Sequence, residues 1–563
     1  MPLDCSNIAL DLPAALIFAN SSTAFSPIAS SSVEREASKN IEENERECFK
    51  DAIVSSRSLN KGYVEPMRLK TAIPEIAACI IAASFHVGIG IMMAYSAILV
   101  PALEAADADI KADKSQTSWM ASIVVISTPV GALMGSFLME AFGRLRTLQI
   151  GALPYVLGWI LIAMSDSVTM ILIGRLLSGL ATALAASPAV VYITEVARPE
   201  LRGSLVSLGP TLASLGILLV YLMGWLLHWR TVAWVSIAYV VLPVFLIQFV
   251  VPESPVWLVS KARLEQARAS IDWLHRCQPE VGKASAFASI CKENAIRSSE
   301  QRRSHRSGAL GKLRAFLRPT GWKPMLILFL LFAFQQFSGI YITLFYAVTW
   351  FTEIDAGFNP YLASVLVGVT RFLCSMVNTW LLRRFKRRVL CIVSSIGMAA
   401  CMSVSGYFTM RILLYDDRSA TWVPVLCLLL YVCASMVGLL TIPWTMTAEL
   451  FPTEIRELAH AISYSIANIL MFTAVQSYRQ LVWLVGGSHA IQWFFAGVSI
   501  GAAVYVWLLL PETHDKKLSE IEDYFHGNLL ACGAEERAKR LSQRKAQAAL
   551  LHSPDQYKAG QIA

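Results

Sequence analysis

Residues 325–351 read MLILFLLFAFQQFSGIYITLFYAVTWF, with QQFSGIY at residues 335–341. The run is apolar and long enough to cross a hydrocarbon core roughly 30 Å thick, which requires about 20 such residues. It nevertheless carries two amides, a hydroxyl and a tyrosine. Polar side chains persist inside a membrane where they meet a partner or line a water-filled path. The stretch therefore reads as a membrane span with one face reserved for polar contact.

The same test finds eleven further spans, and the twelve centre near Ile91, Ile126, Leu157, Leu180, Leu215, Val240, Phe334, Phe372, Ala399, Leu430, Ile469 and Ala502. A hydrophobic share of 55% and a mean hydropathy of +0.52 agree with a polytopic membrane chain. Residues 1–72 read as a disordered polar tail, and its apolar stretch IALDLPAALIFA is not expected to be a signal peptide because it contains Asp11 and lacks a preceding basic region. Residues 73–251 hold six spans, 252–322 a polar central loop, 323–510 six more spans, and 511–563 a second polar tail. The expected class is an all-α membrane protein with 12 transmembrane helices in two six-helix bundles and short helices in the central loop that brace the two bundles.

Residues 251–323 carry 14 Lys and Arg against 6 Asp and Glu, and the turns GRLR, ARPELRG and RRFKRR fall on the same side. Basic loops stay in the cytosol. Both termini join that side because the span number is even, while the acid-rich loop PALEAADADIKADKSQ faces out. The net charge of +8 thus reports topology. Nucleic-acid binding is not expected, since the basic clusters abut spans and no reading module is present. The scattered cysteines read as small apolar residues, and neither metal ligands, a cofactor loop nor a nucleophile triad accompanies the spans, so no enzyme is expected.

The two halves repeat. Glu195 and Arg202 in YITEVARPELRG recur 254 positions later as Glu449 and Arg456 in MTAELFPTEIRE. The basic turn at Gly143, Arg144 and Arg146 recurs at Lys386, Arg387 and Arg388, and the sixth and twelfth spans end in PES and PET. Carboxylates at helix ends and guanidinium groups in neighbouring turns make strong paired bonds. These charges read as a cytoplasmic latch between helix ends, formed when the protein is open to the outside and broken when it opens inward. Its members are Glu140, Arg144, Arg175, Glu195, Arg202, Arg387, Arg388, Glu449 and Arg456. The alternative is that they are topogenic charges alone.

In order along the chain come Gly143-Arg144, Gly174-Arg175, Glu195 through Gly203, PESPVWL, QQFSG, IPW at 442–444, ELFPTEIR and PET. That series resembles the sugar porters of the major facilitator superfamily over roughly residues 75–525, and within them the insect facilitated trehalose transporter group. The resemblance implies two bundles related by an axis along the membrane normal, with a small neutral sugar bound between them near mid-membrane. It implies no cofactor, a multi-pass plasma-membrane location, and a monomer sufficient for transport. By resemblance, Gln335, Gln336, Trp444 and Asn468 contact the sugar. Arg175 is placed by it near Glu195, organising the first bundle.

A sugar presents hydroxyls and no charge, so amides that both donate and accept suit it. On a regular helix Gln336 and Tyr341 would lie about 140° apart and could not share a cavity. Ser338 and Gly339 are therefore the expected hinge, with Phe345 and Tyr346 on the moving part, and Gly339→Ala is expected to slow exchange with little change in surface expression. Departures from the family pattern also mark positions. Tyr341 stands where an Asn is usual, Thr211 is the nearest hydrogen-bonding side chain to an altered position at Pro210, and Arg371 occupies a site that is usually small and polar. An arginine inside a span costs at least roughly 2.5–3.5 kcal/mol. It either contacts substrate, neutral or anionic, or is held structurally by backbone carbonyls near its helix end. Arg383, Lys386 and Glu457 depart from the pattern around the second latch and predict that it is weaker.

The first span lacks Asp and Glu between Ile76 and Val100 and holds only His86 as a titratable candidate. Facilitative uniport of trehalose or a hexose is the expected function. Proton symport is the runner-up, and a non-transporting sensor with the same fold is a reading of another class, favoured by the long polar tail.

Overall fold

The computed structural model describes residues 69–305, 316–354, 357–452, 455–514, 516, 520–521 and 524–525. The polar tails expected at the two ends lie largely outside the described residues. Twelve helices among the described residues are long and apolar enough to cross a membrane. Spans 1 to 6 are Ile73–Glu104, Lys114–Phe142, Arg144–Ala163, Val168–Val196, Pro199–Leu226 and Trp229–Val250. Spans 7 to 12 are Pro319–Phe345, Pro360–Arg384, Arg387–Tyr415, Trp422–Thr447, Leu458–Val485 and Ser488–Leu509. Each contains one of the twelve centres read from the sequence.

Local sequence sets several of the span ends. Ser167 accepts from the Met170 N–H before span 4, and Asn359 accepts from the Tyr361 N–H before Pro360 opens span 8. Asp113 and Gln116 form a capping box at the start of span 2. Large apolar side chains such as Phe137, Phe249 and Trp483 remain exposed around the outside. That is the surface a helix bundle presents to lipid, where backbone groups are already satisfied within each helix.

Spans 1 and 5 pack closely through glycine. A Cβ on Gly90 would lie 1.9 Å from the Ala213 carbonyl oxygen, and one on Gly216 would lie 2.1 Å from that of Val87. Backbones this close tolerate hydrogen only, the usual device for joining helices in lipid.

Three helices follow span 6: Pro255–Ser260, Leu264–Leu274 and Glu280–His305. Trp257, Leu258, Ala267, Ile271 and Phe287 form a small core of their own. Trp257 Nε1 donates to the Glu140 carbonyl oxygen at 3.2 Å, and Ser270 Oγ donates to that of Glu253 at 2.7 Å. A brace between the two bundles was the sequence expectation. These contacts instead seat the helices on the first bundle, because PESPVWL turns straight back beneath span 6.

The face carrying these helices is the central face, and the opposite one the far face. Five hydrogen bonds cross between the bundles among the described residues. Ser122–Gln476, Arg479–Glu104 and Tyr221–Leu344 lie on the far face, Ser375–Thr211 in the middle, and Arg383–Ser204 near the central face. The far face is the one most strongly tied.

Candidate functional site

Span 7 is interrupted within QQFSGIY. The helix Pro319–Phe337 stops, residues 338–341 form a turn, and helix resumes at Ile342–Phe345 and again at Ala347–Ile354. Gly339 takes φ +94°, and a Cβ there would lie 2.7 Å from the Phe495 ring. Positive φ together with a crowding ring leaves glycine as the residue that fits. Carbonyls freed by the break find partners: Ser338 Oγ donates to Gln335 O at 2.8 Å, and Tyr431 OH donates to Ser338 O at 2.8 Å. Phe345 and Tyr346 lie beyond the break, both fully buried. The Tyr346 ring centroid is 4.9 Å from that of Tyr478.

Both glutamines are wholly buried. Gln335 Nε2 donates to the carbonyls of Leu439 at 2.9 Å and Leu440 at 2.8 Å. Those carbonyls lie where span 10 loosens, between the helices Trp422–Val437 and Ile442–Glu449. Gln335 therefore ties two broken spans together. Gln336 Nε2 donates to Gln335 Oε1 at 3.1 Å, while Gln336 Oε1 is buried without a partner. A buried amide oxygen left unpaired is unfavourable by about 1–3 kcal/mol, so it is poised to accept a hydroxyl.

Around the glutamines stands an aromatic and amide cluster. Trp444 meets Phe332 edge-on at 5.0 Å and Tyr464 at 5.9 Å. Asn468, buried one turn beyond Tyr464, donates from Nδ2 to its carbonyl at 2.8 Å. Tyr341 neighbours Trp444 and Arg371, and Tyr464 neighbours Tyr341, Asn468 and, from the other bundle, Thr128. The sequence reading passed over Tyr464, although its spacing from Asn468 puts both on one helix face.

Span 8 contributes a polar stripe at helical spacing, Arg371, Ser375 and Asn378. Ser375 Oγ donates to Thr211 Oγ1 at 3.3 Å across the bundle interface. Arg371 Nε and Asn378 Oδ1 are buried without partners. The groups whose electrostatic field reaches Arg371 are the hydroxyls of Tyr341 and Tyr221. Ser375 and Asn378 were not singled out from sequence, though the turn spacing from Arg371 identifies them.

At the central face the repeated charges meet within each bundle. Arg144 bonds Glu195 twice, Nε to Oε2 at 2.9 Å and Nη2 to Oε1 at 2.7 Å, and Ser254 Oγ donates to Glu195 at 2.5 Å. Glu253 accepts the backbone N–H groups of Arg144, Leu145 and Arg146, capping the start of span 3. In the second half, Arg387 meets Glu449 at 3.3 Å, Thr513 donates to Glu449 at 2.5 Å, and Glu512 accepts the N–H groups of Arg387 and Arg388. The PES and PET motifs are thus members of the two clusters, a role the sequence reading did not assign.

Five expectations need correction. The pairs lie inside the bundles and form with the far face tied, so they hold helix ends within a bundle and are not broken in this state. Glu140 is exposed and contributes its carbonyl oxygen, through Trp257. Arg202 is exposed; the residue that pairs is Arg198, with Nε 2.9 Å from Oε2 of the fully buried Glu75. Arg456 reaches the Phe451 carbonyl oxygen at 3.4 Å. Arg175 lies 20 positions from Glu195 on the same helix, roughly 30 Å at 1.5 Å per residue. Fully buried, it donates to the carbonyls of Met92 at 2.9 Å and Met120 at 3.2 Å and to Ser96, joining spans 1, 2 and 4 in the far half.

Residues 72–525 match the family model described as "Sugar (and other) transporter". The chain belongs to this sugar transporter family. The transporter is 31% identical over 444 residues to a facilitated trehalose transporter of Bombyx mori, covering 78% of this chain and 85% of that one. It is 32% identical over 409 residues to one of Apis mellifera ligustica, covering 73% and 79%. The xylose transporter of E. coli in its inward open conformation shares the fold with TM-score 0.65 at 22% identity, over 80% of this chain and 99% of that one. Like its relatives, the transporter is a multi-pass membrane carrier of sugar and not an enzyme.

Proposed function

We propose that the chain is a facilitative uniporter carrying trehalose or a neutral hexose by alternating access. The observation that carries this reading is the broken seventh span. It buries Gln335 and Gln336 against the loosened tenth span, whose Trp444 neighbours Tyr341 and Tyr464, with Asn468 one turn further on. Amides accept and donate to sugar hydroxyls, and the rings cover its C–H faces. Thr211 and Arg371 border the same space from spans 5 and 8. Ser338 and Gly339 serve as the hinge, with Phe345 and Tyr346 on the segment that moves.

Uniport is favoured by the first span. His86 is buried, with Nδ1 3.1 Å from the Ala83 carbonyl oxygen, and the acids at the two ends of the span are engaged, Glu75 with Arg198 and Glu104 with Arg479. No uncommitted carboxylate stands in it to relay a proton. One chain supplies both halves of the path, so a monomer suffices. The distribution of Lys and Arg supports both termini lying in the cytosol, and the plasma membrane is the location the family resemblance implies.

Counterflow of labelled trehalose and glucose in proteoliposomes tests the proposal, with Gln336→Ala as the control at the site. Exchange of label that the variant lowers supports it. Binding without exchange would identify a sensor, and accumulation driven by an inward proton gradient would identify a symporter.

A further inference from the structure

Spans 7 to 12 hold no aspartate or glutamate within the bounds given above. Arg371 stands near the middle of span 8, with neighbours in both bundles, Tyr341 of the second and Tyr221 of the first. It has no hydrogen bond or ion pair among the described residues, and its Nε is buried without a partner. Its two electrostatic neighbours are phenols, and one of these, Tyr221, already donates its proton to the Leu344 carbonyl at 2.8 Å. Arg230 at the far end of span 6 also has a buried Nε without a partner, but its guanidinium lies over the Trp229 ring, 4.7 Å from the centroid. Arg175 is held by two carbonyls and Ser96, Arg411 by Asp417, and Arg479 by Glu104. Arg371 differs from the others of this group in having neither an ion pair, a hydrogen bond nor a ring beneath its guanidinium among the described residues, and it stands beside the cluster that would hold a sugar.

The geometry points to Arg371 as the recognition group for a monoanionic sugar, a hexuronate or similar sugar acid, which the site takes in addition to neutral sugars and in preference to them. The inference rests on the transport reading above and adds a substrate class to the same site. A guanidinium fork matches a carboxylate in two parallel bonds, and those bonds are stronger than neutral ones. One fixed positive charge with no acid beside it balances one negative charge, which favours a carboxylate over a dianionic phosphate. The sugar ring then lies over Trp444 and Tyr341 with its hydroxyls toward Gln336 and Asn468. Ser375, one turn from Arg371, joins this side of the site to Thr211 of the first bundle at 3.3 Å. Carrying such a substrate alone moves charge, so uptake produces a current that glucose uptake does not.

The test uses the full chain in proteoliposomes, with labelled glucuronate, glucose and glucose 6-phosphate, and with quenching of tryptophan fluorescence as a binding readout. Wild type is expected to bind glucuronate roughly ten- to hundred-fold more tightly than glucose, the size of a charge-assisted pair. Its glucuronate uptake should be electrogenic. Arg371→Gln should remove that preference, read as the ratio of glucuronate to glucose affinity on one preparation, and Arg371→Lys, which keeps the charge without the fork, should fall between. Glucose exchange with no glucuronate binding by wild type would overturn the inference and leave the sugar carrier reading intact, whatever the variants do. Stronger binding of the phosphate than of glucuronate would also overturn it. Failure to exchange any of the three sugars would overturn the transport reading and this inference with it.

Discussion

Glu104 at the end of span 1 and Arg479 in span 11 form an ion pair, Oε1 to Nη2 at 2.5 Å, that joins the two bundles across the far face. Thr117 Oγ1 adds a bond to the same carboxylate oxygen at 2.6 Å. The side chains are 23% and 16% exposed, so the pair is partly desolvated. Opening the far face must break it, and alternating access therefore depends on its strength. Arg479→Gln should favour the state open at the far face by about 1 kcal/mol, or roughly fivefold. An impermeant maleimide, applied to a cysteine placed at Ser122 in a chain without other thiols, reads the change. Equal labelling rates with and without the substitution would show that the pair is not a latch.

The same face should respond to pH. Burial raises the Glu353 carboxyl above its ordinary value of 4.5, against the pull of Ser488, Tyr478 and Arg479, while Glu104 pushes it further up. Tyr478 OH and Ser488 Oγ donate to it at 3.2 and 3.1 Å. Opening that hydrates Glu353 returns it toward 4.5, so the closed state holds the proton over the window just above 4.5. The stabilisation of the closed state is complete below that value and is lost as pH rises through the raised one. Labelling at Ser122 should accordingly increase with pH across the window in wild type. In Glu353→Gln it should stay flat, and a slope retained there would assign the effect to another group.

The sequence revealed what depends on apolar length and on repetition. Twelve hydrophobic runs became twelve spans because lipid leaves the chain few alternatives to a satisfied helix. The matched acids Glu195 and Glu449 found their arginines because repeated helices end at equivalent places. What stayed hidden depends on which turn approaches which. ARPELRG offers two arginines, and only packing against Glu75 selects Arg198 over Arg202. Glu104–Arg479 and Ser122–Gln476 join residues of different bundles, and nothing periodic in either half announces such a pair. Arg175 was misplaced because a family motif marks a residue without saying how far along its helix the partner lies.

Gly339 is a sharper test than hinge chemistry alone suggested. The sequence argument predicted slower exchange by Gly339→Ala with little change in surface expression. The positive φ and the Phe495 ring 2.7 Å from the added Cβ now predict lost stability as well. Strain in the left-handed region contributes about 1–2 kcal/mol, before any shift of the buried ring. Lower surface expression and a lower unfolding temperature are expected, with Phe495→Leu partly restoring both by making room. Normal stability of the single variant would mean the backbone can flip to negative φ at this point.

The adjacent glutamines should separate in function. Gln335 satisfies two carbonyls of the loosened tenth span, so Gln335→Ala strands them and should destabilise the fold by about 2 kcal/mol. Gln336 makes one bond to its neighbour and keeps a free acceptor. Gln336→Ala should weaken sugar binding about tenfold with a smaller change in stability. Thermal unfolding and fluorescence titration on the same preparations measure both. A larger binding defect in a stable Gln335→Ala would reverse the assignment.

The two central-face clusters should differ in strength despite their common origin. Glu195 receives two bonds from Arg144 at 2.7 and 2.9 Å and is 12% exposed, whereas Glu449 has one at 3.3 Å and is 30% exposed. Paired, charge-assisted bonds in a drier setting are the stronger ones. Replacement by glutamine removes the charge and keeps the shape, so the loss reports electrostatics above packing. Glu195→Gln should destabilise the protein by about 2 kcal/mol and Glu449→Gln by about half as much. Unfolding temperatures of the two variants in detergent rank them directly. A greater loss from Glu449→Gln would show that Thr513 and Glu512, which also serve this cluster, tighten it in the membrane beyond the separation seen here.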